Sequence, residues 1–326
     1  MNRRSLLTTA ALLPSLSLGS VQAQQEDWPT RGITIIVPFA PGSSSDIIAR
    51  AAAQRMTATL GQSVVVENRP GATGEVGARQ VIRALPDGYT LIHAPISTWA
   101  INVALRPNLG YDPVTQLTRI SQTIRTPNVL VVHPGKVPAT DLPGMLAWLR
   151  ANANTASYSS SGIGSSDHLT AEMFKQATGT DAVHAPYSGG APATTALLAG
   201  DVQFSFQNLG SIIPQIRDNR VRPIFITSDA RHPLLPQVPT AAEAGLPDFV
   251  VYSWQAFGGP GGMSPALTVR VHAAIRAALT VPEVKTRMDD LGFEIVATAP
   301  AEFAAFQLAE IARWKRVVQA GNIRAE

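Results

Sequence analysis

The chain has 326 residues, no cysteine, 45% hydrophobic residues and 15% charged residues. It is too apolar to be disordered and long enough to bury one core or two. The absence of cysteine excludes a disulfide scaffold, cysteine-ligated zinc, an iron–sulfur cluster and a thiol nucleophile. The formal net charge is only +3, so charge gives no reason to expect nucleic acid as a partner.

The first 23 residues have the order of a secretory signal peptide. Arg3 and Arg4 precede an apolar segment at 6–19, and small residues follow up to Ala23. The apolar segment is too short to span a bilayer. We therefore expect export to the periplasm with cleavage after about Ala23, by the Sec route or, because two arginines are adjacent, by the twin-arginine route.

The first elements of the mature chain, residues 24–326, follow the order of a parallel α/β sheet. Residues 33–38 are a β-branched run typical of a strand buried on both faces. Apolar residues at every fourth position from Ile48 to Leu60 indicate a helix, which Gly61 ends. A β-α-β-α-β unit is completed by a strand at 64–66, a helix from 71 to about 84 and a strand at 89–93.

The same pattern starts again further along, which predicts a second α/β domain. Strands are predicted at 129–133, 157–160, 182–185, 202–207 and 224–227, and helices at 141–150, 169–178 and 193–198. Helices at 265–279 and 301–320, with a short strand at 293–296 between them, complete the chain.

The predicted fold class is α/β, with two doubly wound domains joined by hinge strands. Domain 1 is discontinuous and takes residues 24–126 and 253–326, whereas domain 2 takes residues 127–252 and is inserted into it. The predicted crossings lie at 125–128 and 247–253, which hold proline and extended residues. A linear division into two consecutive domains stays open.

Three turns rich in glycine and serine, at 39–46, 159–168 and 187–192, follow predicted strands and precede predicted helices. Ligands of open α/β sheets bind at the carboxyl ends of the strands. Glycine allows close approach of the backbone, serine adds a hydroxyl donor, and a helix N-terminus favours an anion. The turns therefore predict a small carboxylate held mainly by amides, unless they are only connectors and helix caps.

Catalytic residues are not predicted. Asp46, Asp167 and His168 could act as acids or bases, but they are also typical structural groups at helix starts. The sequence has no Gly-x-Ser-x-Gly, no phosphate loop and no His-x-x-x-His, so neither metal nor cofactor is expected. A hydrolase that uses Ser165 and His168 stays as a remote alternative.

Taken together, the motifs resemble the solute receptors of tripartite tricarboxylate transporters, also called Bug-type binding proteins. The resemblance covers nearly the whole mature chain, and the order and spacing of the motifs are more specific than any single one. It is carried by Trp28-Pro29, ITIIVPFAPG at 33–42 with Asp46, ENRPGA at 67–72 with Gly74 and Gly77, PDGYTL at 86–91, SGIGS at 161–165 with His168-Leu169, YSGG at 187–190 with Pro192-Ala193, LLAG at 197–200, and Pro236, Val238-Pro239-Thr240, Glu243 and Gly245-Leu246-Pro247.

The resemblance implies a periplasmic binding protein of the type II, or Venus flytrap, architecture. Such a receptor has no catalytic activity, closes on a small carboxylate in the cleft between its domains, and passes it to the integral-membrane permease subunits of the transporter. Some members serve signalling, so a sensory or adaptor protein that presents the solute to a membrane sensor kinase stays open as an alternative. A monomer is expected.

Three residues depart from the family pattern. Ser43 stands where a second glycine is usual, and Ala196 and Gln203 stand where acidic residues are frequent. Because Ser43 lies in a loop that touches ligand in the family, it bears on ligand identity. The candidate ligand-binding residues, with Tyr187 and Trp254 as apolar walls, are Phe39, Ala40, Gly42, Ser43, Ser44, Asp46, Gly71, Thr73, Ser97, Thr98, Ser161, Gly164, Ser165, His168, Tyr187, Gly190, Asn208 and Trp254.

Overall fold

The structure, a computed structural model, describes residues 28–325. The predicted signal peptide at 1–23 lies outside these residues. Within residues 28–325, no helix combines the length and the apolarity needed to cross a membrane.

The first sheet is mixed, and its strand order is β2-β1-β3-β9-β4. Strand β1 is parallel to β2 and β3, whereas β9 is antiparallel to both β3 and β4. A short strand, β10, adds to β4. The strands are β1 (Ile33–Val37), β2 (Val64–Asn68), β3 (Thr90–Pro95), the first part of β4 (Leu117–Val132), β9 (Tyr252–Pro260) and β10 (Glu294–Ile295).

The second sheet repeats this arrangement, with the order β6-β5-β7-β4-β8. Strand β5 is parallel to β6 and β7, and β4 is antiparallel to β7 and β8. In the first sheet, β9 arrives from the second sheet and lies antiparallel beside β3. In the second sheet, β4 arrives from the first sheet and lies antiparallel beside β7. The additional strands are β5 (Ser157–Ser160), β6 (Val183–Pro186), β7 (Phe204–Asn208) and β8 (Arg222–Ile226).

Helices cover the faces of both sheets. We call the first sheet with α1–α3 and α8–α10 the first lobe, and the second sheet with α4–α7 the second lobe. The first lobe also holds a 3₁₀ turn at Ala72–Gly74 and a π-helical segment at Ser97–Ile101. The helices are α1 (Ser44–Leu60), α2 (Glu75–Ile82), α3 (Asn102–Leu105), α4 (Leu142–Ala151), α5 (Ser166–Thr178), α6 (Gly190–Ala199), α7 (Leu209–Arg217), α8 (Pro265–Leu279), α9 (Pro282–Asp290) and α10 (Pro300–Ala320).

Helix α1 illustrates why the sequence forms these elements. Ile48, Ala52 and Met56 are fully buried and form the stripe that packs on the strands of the first sheet. Gly61 ends the helix in the left-handed conformation, with a φ of 67°, and its N–H is donated to the Thr57 carbonyl. The predicted end of this helix at Gly61 is confirmed, and its start at Ser44 lies four residues before the first residue of the predicted stripe.

The two lobes are joined by β4 and β9, which pair side by side. Arg125 lies opposite Trp254, and Thr126 lies opposite Ser253, so the predicted crossing segments are neighbours in one antiparallel ladder. Helix α10 adds a third connection, since Gln176 of α5 donates its side-chain amide to the Val317 carbonyl at 3.0 Å. The domain boundaries themselves remain a prediction.

The prediction for β4 was wrong in length, because the strand starts at Leu117 rather than at residue 129. Its first half carries polar residues that are buried and hydrogen-bonded to other elements. The Ser121 hydroxyl donates to the Thr298 carbonyl, and the Thr123 hydroxyl donates to the Gln255 carbonyl. These polar side chains are buried because residues of other elements accept their hydrogen bonds. The sequence of this half of the strand therefore shows no hydrophobic pattern from which a strand could be predicted.

Candidate functional site

The first candidate loop joins β1 to α1. Ser43 caps the helix, because its Oγ accepts the Asp46 backbone N–H at 3.4 Å. The Asp46 carboxylate in turn accepts the backbone N–H of Gly42 at 3.0 Å. Gly42 has a φ of 80°, which favours glycine. This reciprocal cap fixes the loop, but it uses the Gly42 amide that we expected to be offered to a ligand.

The charge of Asp46 is compensated inside the first lobe. Its carboxylate accepts hydrogen bonds from Arg50 Nε and from the Asn68 side-chain amide, each at 2.9 Å. Burial alone would raise the pKa of Asp46, but the bonds from Arg50, Gly42 and Asn68 outweigh it and hold the pKa below its usual value. Asp46 is thus an ionised structural group of the loop.

Two further segments of the first lobe meet this loop. A Cβ atom at Gly74 would collide with Thr98 Oγ1 and lie 3.3 Å from a ring carbon of Phe39, so these residues are in contact. The Thr98 hydroxyl is buried and has no hydrogen-bond partner among residues 28–325. The structure therefore brings together Phe39, the turn that begins after Gly71 and includes Thr73, and the segment that begins at Ser97.

The second candidate loop joins β5 to α5 and repeats the cap with different partners. Ser165 Oγ accepts the His168 backbone N–H at 3.3 Å and donates to the Gly162 carbonyl at 2.6 Å. Ser161 donates both its backbone N–H, at 2.7 Å, and its hydroxyl, at 2.6 Å, to the Asp167 carboxylate. The hydroxyl protons of Ser161 and Ser165 are therefore used within the loop.

The carboxylate of Asp167 has no cationic partner among the described residues. It is 2% exposed, and its Oδ1 has no hydrogen-bond partner there. Burial raises the pKa of Asp167, and the bonds from Ser161 offset this only in part. The second loop thus carries a buried carboxyl group without an ion pair. At the corresponding place in the first loop, the carboxylate of Asp46 is paired with Arg50.

His168 lies in the interior of the second lobe. Its ring stacks on His184 with centroids 4.0 Å apart, and its Nδ1 accepts the Gly164 backbone N–H at 3.2 Å. Burial lowers the pKa of His168 to about 3 and that of His184 to about 4, so both rings are neutral. His168 thus packs beneath the loop and holds it through the bond from Gly164. This is the structural role that the sequence analysis gave as the alternative to an acid or base.

Gly164 places the second loop against the first lobe. A Cβ atom at this residue would lie 2.9 Å from Leu105 Cδ2 and 3.7 Å from Ile101 Cγ2. Gly164 also has a φ of 80°, the same value as Gly42. The loops of the two lobes thus meet around the π-helical segment and α3.

The third candidate loop lies beside the second. The Tyr187 carbonyl is 3.3 Å from the position that a Cβ atom would take at Gly162. Gly190 begins α6, whose N-terminus has no side-chain cap. Asn208 ends β7 and donates its side-chain amide to Asn128 Oδ1 at 2.5 Å and to Ser166 Oγ at 3.3 Å. Tyr187 and Asn208 therefore adjoin the loop before α5 and the N-terminus of that helix, whereas Gly190 lies beside Gln207 of β7.

Trp254 requires a correction. The side chain is fully buried, donates its indole N–H to the Glu310 carboxylate at 2.9 Å and packs edge-on against Phe303 and Phe306 of α10. Glu310 also accepts the indole N–H of Trp314 at 3.0 Å. Trp254 thus anchors β9 to α10, and we leave it out of the proposed ligand set.

The geometry does not support the hydrolase alternative. The Ser165 hydroxyl is bonded to backbone groups and the His168 imidazole to the Gly164 amide, so the side chains of Ser165 and His168 form no hydrogen bond with each other. Among residues 28–325, no cluster of three or more His, Asp or Glu side chains could hold a metal ion.

Some residues that are hydrogen-bonded to the candidate residues were not singled out from the sequence, namely Ser166, Gln255 and Asn128. Ser166 repeats Ser44, since each is the first residue of a helix and follows its capping serine. The paired serines at 43–44 and 165–166 were the available signal. Gln255 and Asn128 gave no signal, because only the pairing of the sheets brings β9 and β4 to these helices.

Two sheets of identical strand order, joined by β4 and β9, with the second candidate loop packed against α3 of the first lobe, define a periplasmic binding protein of the two-lobed type II class. The sequence agrees with this class. It matches the family described as tripartite tricarboxylate transporter family receptor over residues 48–323, so the chain belongs to that family of solute-binding receptors.

Relatives of this chain include carboxylate-bound structures. Protein BugT of Bordetella pertussis is 33% identical over 320 residues, which cover 98% of each chain. Rpa4515 of R. palustris, solved with adipate, is 33% identical with a TM-score of 0.84 and covers 91% of this chain and 99% of that one. MatC of Rhodopseudomonas palustris, with bound malate, is 33% identical with a TM-score of 0.80 and covers 89% of this chain and all 100% of that one.

Proposed function

We propose that this protein is an exported receptor that captures a small carboxylate between its lobes and delivers it to a membrane permease of the tripartite tricarboxylate type. The observation that carries the proposal is the pair of serine-capped helices, α1 and α5, whose N-termini come from different lobes beside the crossing strands. Helix N-termini and hydroxyl donors favour carboxylates. The adipate and malate bound by two relatives are of this chemical class.

Capture proceeds by domain closure in this proposal. A ligand that contacts both loops binds the closed arrangement more tightly than the open one and shifts the population toward it. Strands β4 and β9 absorb the rotation between the lobes. The proposed units are residues 24–126 with 253–326 and residues 127–252, and residues 1–23 direct export to the periplasm.

The first experiment is a thermal-shift screen of residues 24–326 against mono- and dicarboxylates, amino acids and aromatic acids, followed by calorimetry. A ligand that binds only the folded chain raises the melting temperature by mass action. We expect dicarboxylates to give the largest rise, with a decrease in the radius of gyration in small-angle scattering. Folded protein that responds to no carboxylate would overturn the proposal.

A matched pair of glycine variants locates the ligand. Gly42 and Gly61 both have positive φ with open space around the Cβ position, but only Gly42 lies in the first loop. Gly42→Val and Gly61→Val should therefore cost similar backbone strain, about 1–2 kcal/mol. We expect only Gly42→Val to weaken ligand binding, by about tenfold or more.

A further inference from the structure

A cavity of about 680 Å³ lies between the crossing strands and α10, and this volume is in the range of small-molecule sites. Its walls come from β4, β9, β10 and α10. None of its lining residues belongs to the three candidate loops or to the segments at 71–74 and 97–101. Both lobes contribute to it, since Asp229 follows β8 of the second lobe and Glu302 lies in the first turn of α10 in the first lobe.

Gln122 presents an unused carboxamide to this cavity. It lies opposite Ala256 in the ladder of β4 and β9, on the face that also carries Trp254 and packs on α10. The residue is only 6% exposed, and its backbone N–H and carbonyl are both bonded to Thr298. Its side chain has no hydrogen-bond partner among residues 28–325. Because buried carboxamides are normally hydrogen-bonded, this one points to a bound molecule.

The charges around the cavity favour a cation. Four carboxylates line it against two guanidinium groups, which leaves a net charge of −2. The carboxylates are those of Asp229, Glu294, Glu302 and Glu310, and the guanidinium groups are those of Arg125 and Arg313.

Both guanidinium groups are already occupied by partners in the chain. Arg125 donates to the two carboxylate oxygens of Glu294 at 2.6 and 2.9 Å. Arg313 donates to the Val250 carbonyl, and its Nη1 lies 3.6 Å from Glu310 Oε1. Within the described part of the chain, the wall of the cavity therefore offers no unpaired cation to an added anion.

Glu302 and Phe306 provide a charged group and an apolar surface side by side. Glu302 is exposed and has neither an ion pair nor a hydrogen bond among the described side chains. Phe306 follows it by one helical turn on α10, so the two side chains share a face of the helix. The Phe306 ring is half-buried and packs edge-on against Trp254, with centroids 5.2 Å apart. An aliphatic amine can bind such a pair through its ammonium group and its hydrocarbon chain.

We infer that this cavity binds a small aliphatic diammonium ion, whose two positive charges balance its net charge. Glu302 accepts hydrogen bonds from one ammonium group, the hydrocarbon chain packs against Phe306, and the Gln122 side-chain oxygen accepts a further bond from the ligand. The site is separate from the carboxylate site and does not rest on the proposed function. Its ligand has the opposite charge, because no helix N-terminus supplies the donors here.

Calorimetry with 1,4-diaminobutane as the probe tests the site, and 1,4-butanediol is the neutral control with the same carbon chain. We expect residues 24–326 at pH 7.5 and low salt to bind the diamine and not the diol, with a rise in melting temperature. The affinity should fall several-fold in about 0.3 M sodium chloride, because ion pairing is screened. The net charge of the whole chain is +3, so non-specific attraction of a dication is not expected. No binding of the diamine, or an equal response to the diol, would overturn the inference.

A matched pair of charge-neutralising variants locates the diamine. Glu302→Gln removes an exposed charge with little change in shape and should weaken binding about fivefold or more. Asp201→Asn makes the same change in net charge at an exposed residue between α6 and β7, outside the cavity. The Kd of Asp201→Asn should equal that of the wild type. Equal weakening in both variants would show that the diamine responds to overall charge, and the cavity would not be its site.

The unused carboxamide is tested by removing it. Gln122→Leu should weaken diamine binding about threefold or more and leave the melting temperature of the free protein unchanged or higher, since an unpaired buried amide is lost. Gln307→Leu is the contrast, because Gln307 is buried and donates to the Trp99 carbonyl at 2.9 Å, so this variant should melt at a lower temperature. If Gln122→Leu and Glu302→Gln both bound the diamine as the wild type does, the cavity would hold only water and the inference would be wrong.

Discussion

The loops before α1 and α5 have the same plan but opposite electrostatics. Each has a glycine at a φ of 80°, a capping serine, a second serine and an aspartate in the first turn of the helix. Both aspartates are buried, but Asp46 is paired with Arg50, whereas Asp167 has no ion pair among the described residues. Equal backbone geometry therefore does not give equal electrostatics, because the side chains behind each loop set the local charge.

The groups behind the loops differ in the same way. Next to the first loop lies one buried histidine, His93, whose Nδ1 contacts the Ser45 carbonyl at 2.9 Å. Next to the second loop lie two stacked histidines, His168 and His184. The second loop thus depends more strongly than the first on rings that must stay neutral.

Acidification should give the largest effect. Burial lowers the pKa of His93 and His184 from 6.5 to about 4 and that of His168 to about 3. The unfolded chain therefore binds these protons first, so stability is full above pH 6.5 and is lost as the pH falls toward the folded values. Each histidine contributes up to about 1.4 kcal/mol per pH unit to the fall in unfolding free energy.

Urea unfolding between pH 7.5 and 5.0 measures this slope. His184→Gln and His93→Gln should each reduce it, since each removes one group that takes up a proton on unfolding. A double change of His168 and His184 should reduce the slope more than the loss of His93. An unaltered slope in all three variants would show that the histidines do not control acid stability.

Neutralisation of the two aspartates should give a smaller and unequal effect. Asp46→Asn loses the pairing with Arg50 and an acceptor for Asn68, so we expect a loss of about 1–2 kcal/mol in unfolding free energy. Asp167→Asn keeps an acceptor for Ser161 and removes an unpaired buried charge, so its stability should change by less.

Calorimetry extends this comparison to the ligand. Asp167→Asn should strengthen the binding of adipate or malate at pH 7.5, because a buried negative charge near the second loop is removed. Asp46→Asn should not strengthen binding, since Arg50 is then left uncompensated in a loop whose cap has been altered. If Asp46→Asn bound the dicarboxylate more tightly and Asp167→Asn did not, the proposed electrostatic difference between the two loops would be wrong.

The smallest effect concerns the contact between the lobes. Gly164→Ala places a methyl group against Leu105, which can rotate away, so we expect affinity to fall several-fold and at most about tenfold. Gly179→Ala, at the end of the same helix and with open space at the Cβ position, has similar backbone strain. Equal Kd values for the two variants would mean that the lobe contact does not affect binding.

Much of the fold follows from local pattern. Helix α8 was predicted at its observed bounds, and α10 and β10 lie within one residue of the predicted bounds. These elements carry their own signals, such as proline at the first turn and a continuous apolar stripe. The π-helical segment at Ser97–Ile101 and the short α3 were not predicted, because five buried residues in succession show no period.

The sequence alone determined the family, the α/β class and the loops at which a ligand is expected, because glycine turns, capping serines and strand periodicity are local features. Only the tertiary structure decided which hydroxyl protons remain free to donate. Ser44 accepts from Gln255 and Ser166 accepts from Asn208, and these amides reach the serines through the pairing of β4 with β9 and β7. Such partners lie far apart in the chain, and a hydrogen bond between them leaves no period or spacing in the sequence.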